Sequence, residues 1–200
     1  MRRKNVIESF TNAAHTIGKI TKDMSLFAIT RGQFSMLDVV LHCLAEIGPA
    51  RVSVWTWAIA DYEVEAMVGL MARNEITGGT LILDQSAEKR NPTIIEQWRQ
   101  RFGEETVKIC RNHAKIARVW NDEYRLLLRG SMNLNFNPRF EQLDITEGGD
   151  DFTMVERIES EIPLLGRKYS NAEAESATGV NRAFEYQTLQ MFSGVKPWAK

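Results

Sequence analysis

The sequence predicts an α/β sandwich in which a mixed, mostly parallel sheet is flanked by helices. Apolar residues recur at helical spacing over Met36–Ile47, and β-branched and aromatic residues alternate with polar ones over Arg51–Trp57. This order of helix and strand repeats as far as Cys110, which is typical of parallel strands joined by crossover helices. Hydrophobic residues form 44% and charged residues 26% of the 200 residues, as in ordinary globular domains.

The first half of the chain carries clear start and stop signals. Ser35 can cap the helix that follows it, and Gly48-Pro49 ends that helix. Further along, the patterns predict a helix capped by Asp61, a turn at Asn74–Gly79 and a buried strand at Thr80–Leu83. A polar loop at Asp84–Pro92, a helix over Ile94–Phe102 ended by Gly103, and a strand at Thr106–Cys110 are predicted to follow.

The pattern changes in the second half. Two strand-like runs, His113–Trp120 and Tyr124–Gly130, flank the turn residues Asn121-Asp122 and predict a hairpin. A strand at Gln142–Thr146 and a helix capped by Asp150 or Asp151 follow. We therefore expect an N-terminal arm over residues 1–30, a main domain over 31–170 and a C-terminal tail over 171–200.

Composition and charge narrow the classes of partner and site. The net charge of −1 creates no global field that would attract nucleic acid or an anionic membrane. No apolar run approaches the roughly 20 residues needed to span a bilayer, so we expect a cytoplasmic protein without stable membrane insertion. The thiols of Cys43 and Cys110 are expected to be ordinary buried side chains. The histidines and cysteines lack metal-ligand spacing, so we expect no metal and no cofactor.

Four polar side chains on the predicted hairpin form the candidate site. His113 and Lys115 lie two residues apart, so they project from the same side of a strand. Ser131 and Asn133 have the same spacing on the returning segment, and a hairpin would bring both pairs to one end of the sheet. Ammonium and amide donors suit the non-bridging oxygens of a phosphodiester, and an imidazole can act as nucleophile or proton carrier.

Two further residues complete this candidate site. Glu141 could orient the imidazole, and Gly130 would let the backbone approach a ligand closely. Taken alone, a His-x-Lys pair in a strand is usually part of a solvated face, and Gly-Ser-x-Asn is usually a turn. Their order and separation favour a site.

The segment HAKIARVWNDEYRLLLRGSMNLNFNPRFEQLD resembles the phospholipase D superfamily, whose signature is His-x-Lys, then an Asp, then Gly-Ser-x-Asn. The resemblance in architecture covers about Ser35 to Gly166, and the specific motif lies within Asn112–Asp144. One departure is clear. The family Asp falls five residues after the Lys, where this chain has Trp120, and Asp122 lies two residues later.

The resemblance implies a metal-independent phosphodiesterase. His113 would attack phosphorus to form a phosphohistidine, a second histidine would protonate the leaving oxygen, and Asp122 would support the site. The family site needs two such motifs, and this chain has only one, because His15 and His42 lack the accompanying residues. A homodimer with two copies of His113 facing each other would complete the site.

The resemblance is strongest to short, single-motif endonucleases, so nucleic acid, either DNA or RNA, is the expected substrate. Arg111, Arg118 and Trp57 are the expected substrate-binding residues, since cations bind phosphates and aromatic rings stack on bases. Two alternatives remain open at this stage. One is a non-catalytic nucleic-acid-binding module with the same fold, and the other is a lipid phosphodiesterase or phosphatidyl transferase.

Overall fold

A single eight-stranded sheet forms the centre of the protein. The computed structural model describes residues 4–8, 11–90, 92–134 and 138–179. The order of strands across the sheet is β1-β2-β8-β7-β6-β3-β4-β5. The strands are β1 (Asn5–Glu8), β2 (Ser25–Thr30), β3 (Ala50–Thr56), β4 (Ile76–Asp84), β5 (Val107–Cys110), β6 (Lys115–Trp120), β7 (Arg125–Gly130) and β8 (Glu141–Glu147).

Helices cover both faces of this sheet. They are α1 (Ala13–Ile17), α2 (Met36–Ile47), α3 (Asp61–Ala72), α4 (Gln85–Arg90), α5 (Pro92–Phe102), α6 (Asp150–Glu161) and α7 (Asn171–Ala177). The larger core joins one face of the sheet to α1, α2, α3 and α5, and smaller clusters join the other face to α6 and α7. Within the described residues, no helix is both long enough and apolar enough to cross a membrane.

The two faces of each strand carry different residues because side chains alternate along a strand. On β6, Ala117 and Val119 belong to the larger core, whereas Ile116 and Trp120 pack on the α6 side. The larger core also buries Cys43, and the smaller clusters include Cys110. Both thiols are buried and unpaired, as the sequence predicts.

The predicted fold class is confirmed: a mixed sheet is flanked by helices on both faces. Of the seven pairings between described strands, three are parallel, namely β1 with β2, β3 with β4, and β4 with β5. The remaining pairings are antiparallel, so parallel pairs are fewer than expected. The reason is that β6 and β7 form a hairpin, and β8 returns antiparallel to both β7 and β2.

The segment expected to be an N-terminal arm is part of the sheet. Strand β2 lies between β1 and β8, and its residues Leu26 and Ala28 are buried in the larger core. Only short apolar stretches mark this region in the sequence, so an alternation of six residues was too brief to predict a central strand. The sheet therefore begins well before residue 31.

Two elements differ from the sequence prediction, one because it contains glycines and the other because it is rich in charged residues. Gly78 and Gly79 predict a turn, yet both lie inside β4. A Cβ on Gly79 would stand 3.0 Å from the Trp98 ring and 3.1 Å from the Val52 carbonyl, so α5 packs where this strand has no side chain. The polar stretch after β4 is the short helix α4 rather than a loop, and its apolar contact with the core is Ala87.

The expected C-terminal tail begins with a helix. Ser170 caps α7 by accepting a hydrogen bond from the Glu173 amide at 3.2 Å, and Ala174 and Ala177 are buried. Residues 180–200 of the expected tail lie outside the described residues.

A buried ion pair joins β6 to α6. Arg118 is 4% exposed and donates to Glu159, which is 6% exposed, and to Glu156 at 3.1 Å. The Glu159 carboxylate also accepts from the Ser53 hydroxyl at 2.6 Å and the Trp55 indole at 2.7 Å. Since each partner of a buried pair needs the other to offset its lost hydration, this network holds α6 in a defined position on the sheet.

We expect Glu159→Gln to lower the free energy of unfolding by about 3 kcal/mol, because it leaves the buried Arg118 charge without its closest counter-ion. The matched control is Glu161→Gln on the same helix, which removes an exposed partner of Arg157 and is expected to cost less than about 1 kcal/mol. Urea unfolding of the two variants measures the difference. Equal losses would show that the buried pair does not stabilise the fold.

Candidate functional site

The candidate site lies along one edge of the sheet, where several strands begin or end. Strands β3, β4 and β5 end there, β6 begins there, and the hairpin partner β7 ends there. Across this edge, Lys115 pairs with Gly130, and Gly130 pairs with Leu143. The two halves of the sequence motif therefore lie side by side, as the predicted hairpin requires.

His113 lies in the short connection between β5 and β6 and is exposed. The neighbouring Asn112 fixes this connection. Its amide donates to the Asp84 carboxylate at 3.1 Å, and its side-chain oxygen accepts from the Ala114 amide at 2.9 Å. Because the residues on either side are held by hydrogen bonds, the His113 imidazole is presented to solvent from a defined backbone.

Lys115 contacts His113 directly. The Lys115 Nζ lies 3.2 Å from each ring nitrogen of His113 and donates to the His113 carbonyl at 2.8 Å. Partial burial lowers the pKa of Lys115 below its usual 10.5, while the nearby Glu141 carboxylate opposes that shift. The ammonium forms no ion pair with a described carboxylate, so its charge is available to a bound anion.

Ser131 and Glu141 interact with each other. The Ser131 hydroxyl donates to the Glu141 carboxylate and accepts from the Gln142 amide at 2.9 Å. The sequence analysis predicted that Glu141 orients the His113 imidazole. Within a single chain, the Glu141 carboxylate instead binds Ser131, which the strand register places next to it. Glu141 acts here as an acceptor that orients the Ser131 hydroxyl.

Gly130 permits close packing between two strands. A Cβ at this position would stand 2.4 Å from the Gln142 carbonyl oxygen of β8. A side chain here would force β7 and β8 apart and displace the Ser131 hydroxyl from its acceptor.

Asn133 anchors the loop after β7 to helix α2. Its carbonyl accepts from the Met36 amide at 3.1 Å, at the first turn of that helix. Among the described residues, its side-chain Oδ1 is buried without a hydrogen-bond partner. Residues 135–137, which follow, lie outside the described residues. Asn133 thus lies between β7 and α2, with an amide oxygen that still has bonding capacity.

Asp122 is not brought to this site. It lies in the turn between β6 and β7, next to the pair formed by Trp120 and Arg125, whereas Lys115 and Gly130 pair at the other end of the hairpin. Five residue steps along β6 separate Lys115 from Trp120, a distance of about 17 Å. The structure therefore corrects the prediction that Asp122 supports the catalytic residues, and Trp120 lies at the same distant end.

The two arginines predicted to bind substrate are both engaged elsewhere. Arg118 points to the opposite face of the sheet from Lys115 and is buried in its pair with Glu159, which excludes it from contact with a ligand. Side chains alternate along β6, so only a residue an even number of positions from Lys115 could share its face of the sheet, and Arg118 is three positions away. Arg111 is exposed but pairs with Glu175 of α7 at 3.0 Å, which reduces its availability to a phosphate.

Trp57, predicted to bind substrate, lies beside His113, and it is accompanied by a cation that sequence analysis missed. The Trp57 and His113 ring centroids are 5.8 Å apart, and the Trp57 side chain is 38% exposed. Arg90 lies over the indole, with its Cζ 4.9 Å from the ring centroid. The sequence analysis places Arg90 in a polar loop, whereas the structure places it at the end of α4, next to Trp57.

Together these residues form a polar cluster at one edge of the sheet. It contains an exposed imidazole, an ammonium that forms no ion pair with a carboxylate of the described residues, and an oriented hydroxyl. Among the described residues, no three His, Cys, Asp or Glu side chains converge so that they could hold a metal ion. The arrangement can bind an anion at Lys115 and place a nitrogen nucleophile next to it.

We expect anion affinity to decline with rising pH, and the decline should occur at a lower pH than the one at which an ordinary lysine loses its proton. Lys115 binds an anion only when charged, and its pKa lies below 10.5, so the loss occurs as pH rises through that lowered value. Titration calorimetry with sulfate, whose charge is constant over this range, measures the effect. Lys115→Arg stays charged and is expected to abolish the decline. Parallel declines in both proteins would contradict the role of Lys115.

Similarity to known proteins is found in structure and not in sequence. No family model matches this chain, and no curated protein matches its sequence. Among solved structures, the polyphosphate kinase from Porphyromonas gingivalis is similar at a TM-score of 0.49 and 16% sequence identity. The match covers 73% of this chain and 27% of the kinase, so this chain spans about a quarter of that protein. A similarity at this level is no basis for assigning a function.

Proposed function

We propose that this protein is a phosphodiesterase, with nucleic acid as its substrate, that acts through a phosphohistidine at a site shared by two copies of the chain. The contact between the exposed His113 ring and the Lys115 ammonium, at 3.2 Å, is the observation that carries the proposal. The order of His113, Lys115, Ser131 and Asn133 supports it through the resemblance to the phospholipase D superfamily.

The reaction proceeds in two displacements at phosphorus. A His113 nitrogen attacks, so that a P–N bond forms while the P–O bond to the leaving group breaks. The leaving alkoxide takes a proton from the imidazolium of His113 in a second copy of the chain. That neutral imidazole then removes a proton from water, whose oxygen attacks phosphorus. A new P–O bond forms, the P–N bond breaks, and His113 is regenerated.

Lys115 supplies the charge for both displacements. The phosphorus centre carries non-bridging oxygens whose negative charge opposes an approaching nucleophile, and a neighbouring ammonium offsets that repulsion. Before substrate binds, the same ammonium lies 3.2 Å from both ring nitrogens of His113 and donates to the His113 carbonyl. Substrate oxygens compete for this ammonium, so binding draws it away from the His113 ring and towards the phosphate.

Pairing of two chains follows from the need for a second acid–base group. Within one chain, His15 and His42 belong to other parts of the fold: His15 bonds Asn12 at 3.3 Å, and His42 bonds the Gly18 carbonyl at 2.7 Å. His113 is exposed at the sheet edge, where a two-fold axis could bring its equivalent close. A homodimer therefore supplies the missing proton donor.

We expect purified protein to cleave single-stranded DNA in the presence of EDTA, with activity lost by at least about a thousandfold in His113→Ala, because the nucleophile is removed. Gel electrophoresis of labelled oligonucleotides measures cleavage. A phosphoenzyme trapped by rapid acid-free denaturation with labelled substrate should also be absent from the variant.

The matched control is His15→Ala, which removes a histidine at a surface remote from the motif and should cleave normally. Equal cleavage by wild type and His113→Ala would identify a contaminant. Salt-sensitive binding of DNA without turnover would favour the non-catalytic binding module, and release of headgroup from phospholipid vesicles would favour the lipid phosphodiesterase.

Mixing wild type with His113→Ala tests the shared site. If both copies of His113 are required, random pairing in an equal mixture leaves about a quarter of the dimers intact, so activity per total protein falls to that fraction. Chains that act independently would retain about half. Subunit exchange is verified by differently tagged chains in the same mixture, and retention of half the activity after full exchange would contradict the shared site.

A further inference from the structure

We propose that Arg90, supported by Trp57, binds the phosphate adjacent to the one attacked by His113, and so selects polymeric phosphodiesters over isolated ones. This inference rests on the proposed function and adds a substrate class to it. It is carried by the position of Arg90, which the sequence motif does not include.

Two interactions hold Arg90 against Trp57. The guanidinium carbon lies 4.9 Å from the indole centroid, and Nη2 donates to the Trp57 carbonyl at 3.1 Å. The indole in turn contacts the His113 ring, with centroids 5.8 Å apart. A long side chain that would otherwise be mobile is therefore held one ring away from the nucleophile.

Arg90 keeps its charge available to a ligand. It is exposed and forms no ion pair with a carboxylate of the described residues. The bond to the Trp57 carbonyl uses one of the five N–H donors of a guanidinium, so several remain for phosphate oxygens. Its neighbours differ: Arg111 pairs with Glu175 at 3.0 Å, and Lys89 donates to Asn171 at 3.0 Å.

The contacts assign Lys115 and Arg90 to different phosphates. Lys115 touches the His113 ring directly, so it serves the phosphate that His113 attacks. Arg90 reaches His113 only by way of the indole, so the phosphate that it binds lies one step along the ligand. A strand of nucleic acid presents such a second phosphate at every step, whereas a phospholipid with a single phosphodiester does not.

The test compares two substrates in Arg90→Gln and Lys89→Gln. One substrate is bis(p-nitrophenyl) phosphate, which has a single phosphate. The other is a fluorescently labelled oligothymidylate of ten nucleotides. Arg90→Gln is expected to raise the KM for the oligonucleotide about tenfold, as loss of a charge-assisted contact does, and to leave kcat/KM for the small diester unchanged. Lys89→Gln removes an equal charge one residue away and should change neither value.

Binding provides a second measurement. Fluorescence anisotropy of the oligothymidylate across a salt series should show a slope of log K against log salt that is smaller by about 0.7 in Arg90→Gln than in Lys89→Gln. Trp57→Leu is expected to reproduce part of the Arg90→Gln effect, since it removes the surface that supports the guanidinium. Thermal unfolding of each variant verifies the fold.

The outcomes separate the two proposals. If wild type cleaves neither substrate, the phosphodiesterase proposal fails, and the anisotropy measurement still decides whether Arg90 binds a phosphate. If Arg90→Gln lowers kcat/KM for both substrates by the same factor, Arg90 contributes only general charge and the inference is overturned. The same conclusion follows if Lys89→Gln has the same effect as Arg90→Gln.

Discussion

The register of three antiparallel strands aligns the two halves of the candidate site. Lys115, Gly130 and Leu143 stand opposite one another on β6, β7 and β8, so residues distant in the chain meet at one edge of the sheet. Gly130 makes this alignment possible, because any side chain there would collide with the backbone of β8. The site thus depends on a close approach between two backbones more than on any single polar contact.

The basic residues near this edge of the sheet differ in whether they have an acidic partner. Acidic partners from α6 and α7 neutralise Arg118 and Arg111, whereas Lys115 and Arg90 have no carboxylate within ion-pair distance among the described residues. The basic residues near the motif therefore divide into those that stabilise the fold and those that remain free to attract an anion. Counting cations in the sequence does not distinguish the two groups, because the difference arises from which helix packs against each strand.

Much of the site and fold could be predicted from local sequence signals. The strand spacing and turn chemistry predicted the hairpin that places His113 and Lys115 beside Ser131, and the caps and apolar periods predicted α2 and α5. Long-range packing determined the rest. The position of Asp122 follows from the length of the hairpin, and that of Arg90 from a helix six residues long, α4, whose pattern is too short to recognise.

The Arg118–Glu159 pair has a consequence for how the hairpin assembles. A shift of β6 by one residue would exchange its two faces and carry a guanidinium into the aliphatic side of the sheet, away from α6 and its carboxylates. Burying that charge alone would cost several kcal/mol, so misaligned hairpins are strongly disfavoured. The buried charge thus favours the native alignment of β6, and with it the position of Lys115 on the opposite face of the same strand.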